Sequence, residues 1–175
     1  MAIIPPYSVV PKILPLSYFL PESHDCLTFK QHERHKEKKW PLIQKQSYLM
    51  SLFRQHYSPH LVWRELQCDG FTDVEVLDGW ERVQALGEFF KNKIPLPGEI
   101  DSVFPGIIDD ACLRGMESRM YYMDLCERSK KLENFVREAT SVYVDVITIM
   151  GNSNNSRYQT TITELYRSLQ SNQYF

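Results

Sequence analysis

The first 28 residues carry five prolines within an otherwise apolar sequence, and this combination limits what the segment can fold into. Each proline fixes φ and lacks a backbone N–H donor, so a long helix or a central β-strand is disfavoured. A solvated linker would be polar, whereas these side chains are mostly aliphatic and aromatic. We therefore predict an irregular apolar arm over residues 1–28, which lies across its own domain or binds a partner. Its predicted partner-binding residues are Ile3, Ile4, Tyr7, Val10, Ile13, Leu16, Tyr18 and Phe19.

The remaining residues, 29–175, contain apolar side chains at spacings of three and four, which is the pattern of amphipathic helices. With only 7 glycines in the chain, a sandwich or barrel built on many tight turns is disfavoured. We therefore predict a mostly α fold, in which a compact helical bundle over 29–175 carries an extended, proline-containing N-terminal arm. Two segments, 71–77 and 142–150, are open to interpretation as short strands. The clearest helical stripe comprises Val76, Leu77, Trp80, Val83, Leu86, Phe89 and Phe90.

A second predicted helix covers Leu61 to Leu66, with Ser58 as its N-cap and the dipeptide Asp69-Gly70 as its stop signal. The length of 175 residues fits one domain, or one domain with an arm. Hydrophobic residues make up 43% and charged residues 24% of the chain, which is close to the globular average and argues against intrinsic disorder.

The charge pattern gives no reason to expect nucleic acid as a partner. The formal net charge is -2, whereas nucleic-acid-binding domains usually carry a basic excess. The basic run from Lys30 to Lys39 is interrupted by Glu33 and Glu37. This alternation favours a solvated surface helix with ion pairs along it.

The sequence predicts an intracellular, cytoplasmic protein. It contains no stretch of about 18 apolar residues free of proline and charge, so no membrane span is expected. The N-terminal prolines interrupt the apolar core that a signal peptide requires. The four cysteines form no CxxC pair and are interpreted as reduced thiols.

A histidine-rich region provides the one candidate metal site. All five histidines lie in the first 60 residues. His24, Cys26, His32 and His35 supply four donors, the number that tetrahedral zinc needs. Their spacing matches no established zinc pattern, and charged residues surround His32 and His35. We therefore expect no cofactor, with zinc as the alternative.

Catalytic signatures are absent from the sequence. It contains no GxSxG, HExxH, P-loop or GxGxxG motif, and no histidine follows His60. Cys112 and Cys126 have no base nearby in sequence and are interpreted as structural thiols. The segment Ser141–Val146 fits a loose phosphotyrosine pattern, but it is apolar enough to be interpreted as core. The sequence therefore favours a protein that is not an enzyme.

These features together predict a non-enzymatic protein–protein interaction module. It would be a structural subunit or accessory factor that docks on a larger protein assembly through its apolar arm and a helical face. One alternative is a zinc-binding regulator or metal-dependent enzyme that uses the histidine-rich region. Another is a viral accessory protein that antagonises a host factor.

Overall fold

A five-stranded mixed β-sheet organises this protein, as seen in a computed structural model. The structure describes residues 7–24, 27–32, 38–56, 58–68, 71–97, 104, 119–149, 164 and 167. The prediction of a mostly α helical bundle is therefore wrong, and the fold is mixed α/β. The strands of the sheet are β1 (Tyr7–Pro15), β2 (Leu27–Gln31), β3 (Leu61–Cys68), β4 (Phe71–Asp78) and β7 (Ser141–Ile149).

The strand order is β1-β7-β3-β4-β2, so β1 and β2 form the two edges. Strand β1 runs antiparallel to β7, and β3 runs antiparallel to β4. The pairs β3·β7 and β2·β4 are parallel. Two short strands, β5 (Leu96–Pro97) and β6 (Arg119–Met120), form a separate antiparallel pair.

Helices cover one face of the sheet. They are α1 (Leu42–Phe53), α2 (Trp80–Phe90), α3 (Tyr122–Arg128) and α4 (Lys130–Asn134), and a π-helical turn (Phe135–Ala139) leads into β7. Apolar side chains of α1 and α2 pack against alternate residues of the strands and form the main core. Its largest strand-borne member, Trp63, is 0% exposed. We call this side of the sheet the helical face and the other side the open face, on which Val62, Leu77 and Ile147 form a small buried cluster.

The strands of this sheet account for the failure of the helix prediction. In β7 the three valines Val142, Val144 and Val146 are buried while Tyr143 between them is exposed, which is the period-two pattern of a strand. The predicted helix over Leu61–Leu66 is wrong, because these residues form β3. Of the two segments left open as strands, 71–77 lies in β4 and residues 142–149 of the second lie in β7, while residue 150 is outside the described residues.

The N-terminal segment is regular where the structure describes it. Residues 7–15 form β1 in spite of Pro11 and Pro15, and two 3-10 helices follow, Leu16–Phe19 and Pro21–His24. The expected irregular arm is thus replaced, over these residues, by an edge strand of the sheet. Proline is tolerated there because the backbone nitrogen of an edge strand can face away from its neighbour.

The backbone N–H of Leu16 donates to the carbonyl oxygen of Thr140 at 3.0 Å. Successive residues of a strand direct their backbone groups to opposite sides, so the even-numbered residues of β1 face β7. Pro11 and Pro15 are odd-numbered and face outward. The sheet therefore loses no internal hydrogen bond to either proline.

Tyr48 on α1 is buried, and its raised pKa predicts that the protein loses stability at alkaline pH. Burial raises the pKa of Tyr48 to about 12, against smaller opposing contributions from Arg82 and Ser58. Since a tyrosine in the unfolded chain ionises near pH 10, the folded state holds this proton more tightly. Its contribution to the free energy of unfolding is fully present below about pH 10 and is lost as the pH rises towards 12, on the order of 2 kcal/mol.

Urea titrations at closely spaced pH values, with Tyr48→Phe as the comparison, measure this loss. We expect the variant to show a shallower decline in the free energy of unfolding above pH 10 than the wild type. Equal slopes for the two proteins would show that Tyr48 does not carry the effect.

Candidate interaction surface

Exposed apolar side chains concentrate at the β1 edge of the sheet. Seven large apolar side chains are exposed among the described residues, and four of them lie on β1 and β7. Their exposed fractions are 47% for Val9, 49% for Val10, 62% for Ile13 and 48% for Tyr143. Single exposed apolar residues are common, whereas a contiguous group is typical of an interaction site.

The strand register places three of these four side chains together. Ile13 lies directly opposite Tyr143 in the antiparallel pair, and Val9 lies opposite Ile147. Directly opposed residues of such a pair project from the same face of the sheet. Val9, Pro11, Ile13 and Tyr143 therefore share the open face, and we call them the β1–β7 patch.

Val10 projects to the other side of the sheet. It lies opposite Val146, whose side chain belongs to the main core under the helices. Its exposure therefore reflects the position of β1 at the edge of the sheet, beyond the cover of the helices. Val10 flanks the β1–β7 patch without belonging to it.

Tyr143 is held in place by His60, the residue before β3. The two rings stack with centroids 5.3 Å apart and planes 13° apart. His60 Nδ1 lies 3.0 Å from Asp145 Oδ2, a hydrogen-bond distance at which the carboxylate accepts. Asp145 follows Tyr143 by two residues on the same face. A side chain that is already oriented loses less conformational entropy when it binds.

The outward edge of β1 is a poor template for adding a strand. Odd-numbered residues of β1 face away from β7, and two of them, Pro11 and Pro15, have no N–H to donate. Of the five outward-facing positions between Tyr7 and Pro15, two therefore offer no backbone N–H to an incoming strand. A partner is better accommodated by the side chains of the β1–β7 patch than by the backbone edge.

The predicted partner-binding residues do not share one environment in the structure. Leu16 and Phe19 lie in the main core, and half-buried Tyr18 stacks on Trp63 with ring centroids 6.0 Å apart. Half-buried Tyr7 packs against a small cluster on the open face. Val10 and Ile13 are exposed and available to a partner, and Ile3 and Ile4 lie outside the described residues.

Of the four candidate zinc ligands, only His32 has a side chain that the structure describes, so the zinc site stays a prediction. His32 is 7% exposed, and its Nε2 lies 3.9 Å from Glu75 Oε1. His24 belongs to the second 3-10 helix, while Cys26 and His35 lie outside the described residues. Within the described ranges no group of three or more histidine, cysteine, aspartate or glutamate side chains is arranged to hold a metal ion.

The thiol of Cys126 is not activated. Burial raises the pKa of this thiol, mainly by disfavouring the thiolate. Since the thiolate is the nucleophilic form, a raised pKa makes Cys126 less reactive at neutral pH. Cys112 lies outside the described residues.

Sequence reasoning missed Val9, Tyr143, His60 and Asp145 as members or supports of this surface. The signal that finds Tyr143 and Asp145 is the alternation of valine with other residues over 142–146, which is typical of a half-buried strand. His60 lies far from both in sequence, so only the parallel pairing of β3 with β7 reveals its contact.

Comparisons with protein-family models, with curated proteins and with solved structures returned no match to this chain. No relative's activity therefore bears on it. Among the residues that the structure describes, no helix has the length and the apolar run needed to cross a membrane.

Proposed function

We propose that this chain is a non-enzymatic protein-interaction module that docks on a partner protein or larger assembly through the β1–β7 patch. The supporting observation is the concentration of exposed apolar side chains on one edge of the sheet, with Ile13 and Tyr143 directly opposed. The centres of interfaces are apolar and are enriched in aromatic side chains such as tyrosine. The partner is a protein with a complementary apolar surface, in preference to nucleic acid.

The stacking of His60 on Tyr143 supports the same proposal. A preoriented tyrosine supplies contact area at low entropic cost, because its ring is already fixed before binding. The prolines of β1 disfavour the addition of a further strand, so docking through side chains is favoured. The same prolines protect this edge of the sheet against aggregation. We place this interaction in the cytoplasm, where free thiols such as Cys126 stay reduced.

A charged residue at the centre of the β1–β7 patch tests the proposal. We expect Ile13→Asp to lower the affinity for the partner by about 1.4 kcal/mol or more, which is tenfold. Quantitative co-purification of the tagged full chain from its own cells measures the loss. The matched control is Ile43→Asp, because Ile43 is 76% exposed but lies on α1.

Both variants replace an exposed isoleucine with aspartate, and they differ only in the surface of the protein on which the aspartate lies. A partner recovered with the wild type and with Ile43→Asp, but depleted with Ile13→Asp, supports the proposal. Equal recovery with both variants would contradict it. The circular dichroism and melting temperature of both variants show whether the fold is retained.

A further inference from the structure

A separate cavity opens at the opposite edge of the sheet, beside β2. Its volume is about 320 Å³, near the lower limit for pockets that hold small ligands. The cavity lies between α2, β2 and the two 3-10 helices, on the helical face. The residues that line it are Phe19, Pro21, Thr28, Phe29, Val83, Gln84, Gly87 and Lys91.

The inner wall of the cavity is apolar. Phe19 and Phe29 stack with ring centroids 5.6 Å apart and planes 14° apart. Val83 of α2 completes this wall from the helix side. Such a wall favours an aromatic or branched aliphatic group, which gains from burial and from ring contacts.

Gly87 borders the cavity. It lies within α2, and a Cβ atom built on it would meet nothing within 4 Å. A glycine in the interior of a helix is less favourable than alanine. Packing does not require this glycine, and a side chain at this position would extend into open space.

The charged side of the cavity is basic. Among the described residues that line it, none is acidic, and Lys91 supplies the one formal charge. None of the ion pairs among the described residues involves the Lys91 ammonium group. Thr28 and Gln84 add groups that can donate hydrogen bonds. This charge and these donors complement an anion, and a carboxylate matches both.

We propose that this cavity binds a small carboxylate that carries an aromatic or branched aliphatic group. The apolar group lies against Phe19, Phe29 and Val83, and the carboxylate lies at the rim near Lys91. The proposal is independent of the β1–β7 patch, because the two surfaces lie at opposite edges of the sheet.

Ligand-detected NMR with 3-phenylpropanoate and 3-phenylpropylamine as probes tests the site on the full chain. We expect saturable binding of the carboxylate in the millimolar range and weaker binding of the amine, since the two probes share the ring and differ in charge. Equal binding of both probes, or no saturable binding of the carboxylate, would overturn the proposal.

Two variants locate the binding. Gly87→Leu fills the cavity and is expected to weaken carboxylate binding more than tenfold. Lys91→Gln is expected to weaken it about two- to fivefold, the range of an exposed ion pair. Lys93→Gln is the matched control, since Lys93 is exposed but does not line the cavity. Wild-type binding by Gly87→Leu, or equal losses for the two lysine variants, would place the probe elsewhere.

Discussion

Replacement of Trp63 by alanine will lower the free energy of unfolding by about 3–5 kcal/mol. Trp63 is fully buried at the centre of the sheet, and its ring contacts Tyr18, Phe19 and Phe29 at centroid distances of 6.0, 6.3 and 5.8 Å. The substitution removes a large apolar surface and leaves a cavity that rigid strands cannot close. Urea denaturation followed by far-UV circular dichroism measures the loss.

Trp63→Phe is the matched variant for this position. The indole N–H of Trp63 is buried without a hydrogen-bond partner among the described residues, and phenylalanine removes that polar group while keeping most of the ring. We expect a loss of about 1–2 kcal/mol, smaller than for alanine. A loss below about 1 kcal/mol for Trp63→Ala would contradict the central position of this residue in the core.

Gly79→Ala will destabilise the protein by about 2 kcal/mol or more. Gly79 lies between β4 and α2 with φ of +90°, in the left-handed region that disfavours a side chain. A Cβ atom would lie 2.5 Å from Leu61 Cδ2 and 2.8 Å from Arg82 Nε. Arg82 has little freedom to move, because it donates to Asp78 Oδ2 at 2.6 Å and to the carbonyl oxygen of Pro59 at 2.9 Å.

Gly87→Ala is the control for Gly79→Ala, because the same substitution eight residues further along α2 meets open space. Alanine in a helix interior is favoured over glycine by about 0.5–1 kcal/mol, so this variant is expected to be more stable than the wild type. Thermal melts of the two variants should shift in opposite directions. A destabilisation of equal size in both would contradict the strained conformation assigned to Gly79.

Helix α2 shows how far local pattern reaches in this chain. The sequence stripe correctly places Val83, Leu86 and Phe89 in the core. It also assigns Val76 and Leu77 to the same helix, whereas these residues belong to β4. The boundary lies at Gly79, whose left-handed backbone conformation separates the strand from the helix. Spacings of three and four do not detect such a break, because two adjacent elements can keep them by coincidence.

The sheet was harder to predict, because its strands pair over long distances in sequence. Tyr7 pairs with Ile149, and Leu27 pairs with Thr72. A local sequence pattern does not identify which strands pair with each other. The proline-rich sequence of β1, considered alone, favours irregular structure. The dipeptide Asp69-Gly70 fits a helix stop and equally fits a hairpin turn, so it does not distinguish the two. These two residues lie outside the described ranges.

The candidate surface was half predictable. The apolar composition of the N-terminal segment correctly predicts that Ile13 is available to a partner. It also predicts this for Leu16 and Phe19, which are buried in the core. Composition cannot separate these residues, because exposure depends on which face of the sheet each one occupies. Tyr143 becomes visible only once β7 is recognised as the neighbour of β1.

The most direct test of the β1–β7 patch is site-specific photo-crosslinking in the cells that make this protein. Benzoylphenylalanine replaces Ile13 in one variant and Ile43 in the other, so both crosslinkers are exposed but lie on different elements. We predict a discrete adduct to a partner protein from position 13 and none of that mass from position 43. The same adduct from both positions, or none from position 13, would contradict the assignment of this patch as the docking surface.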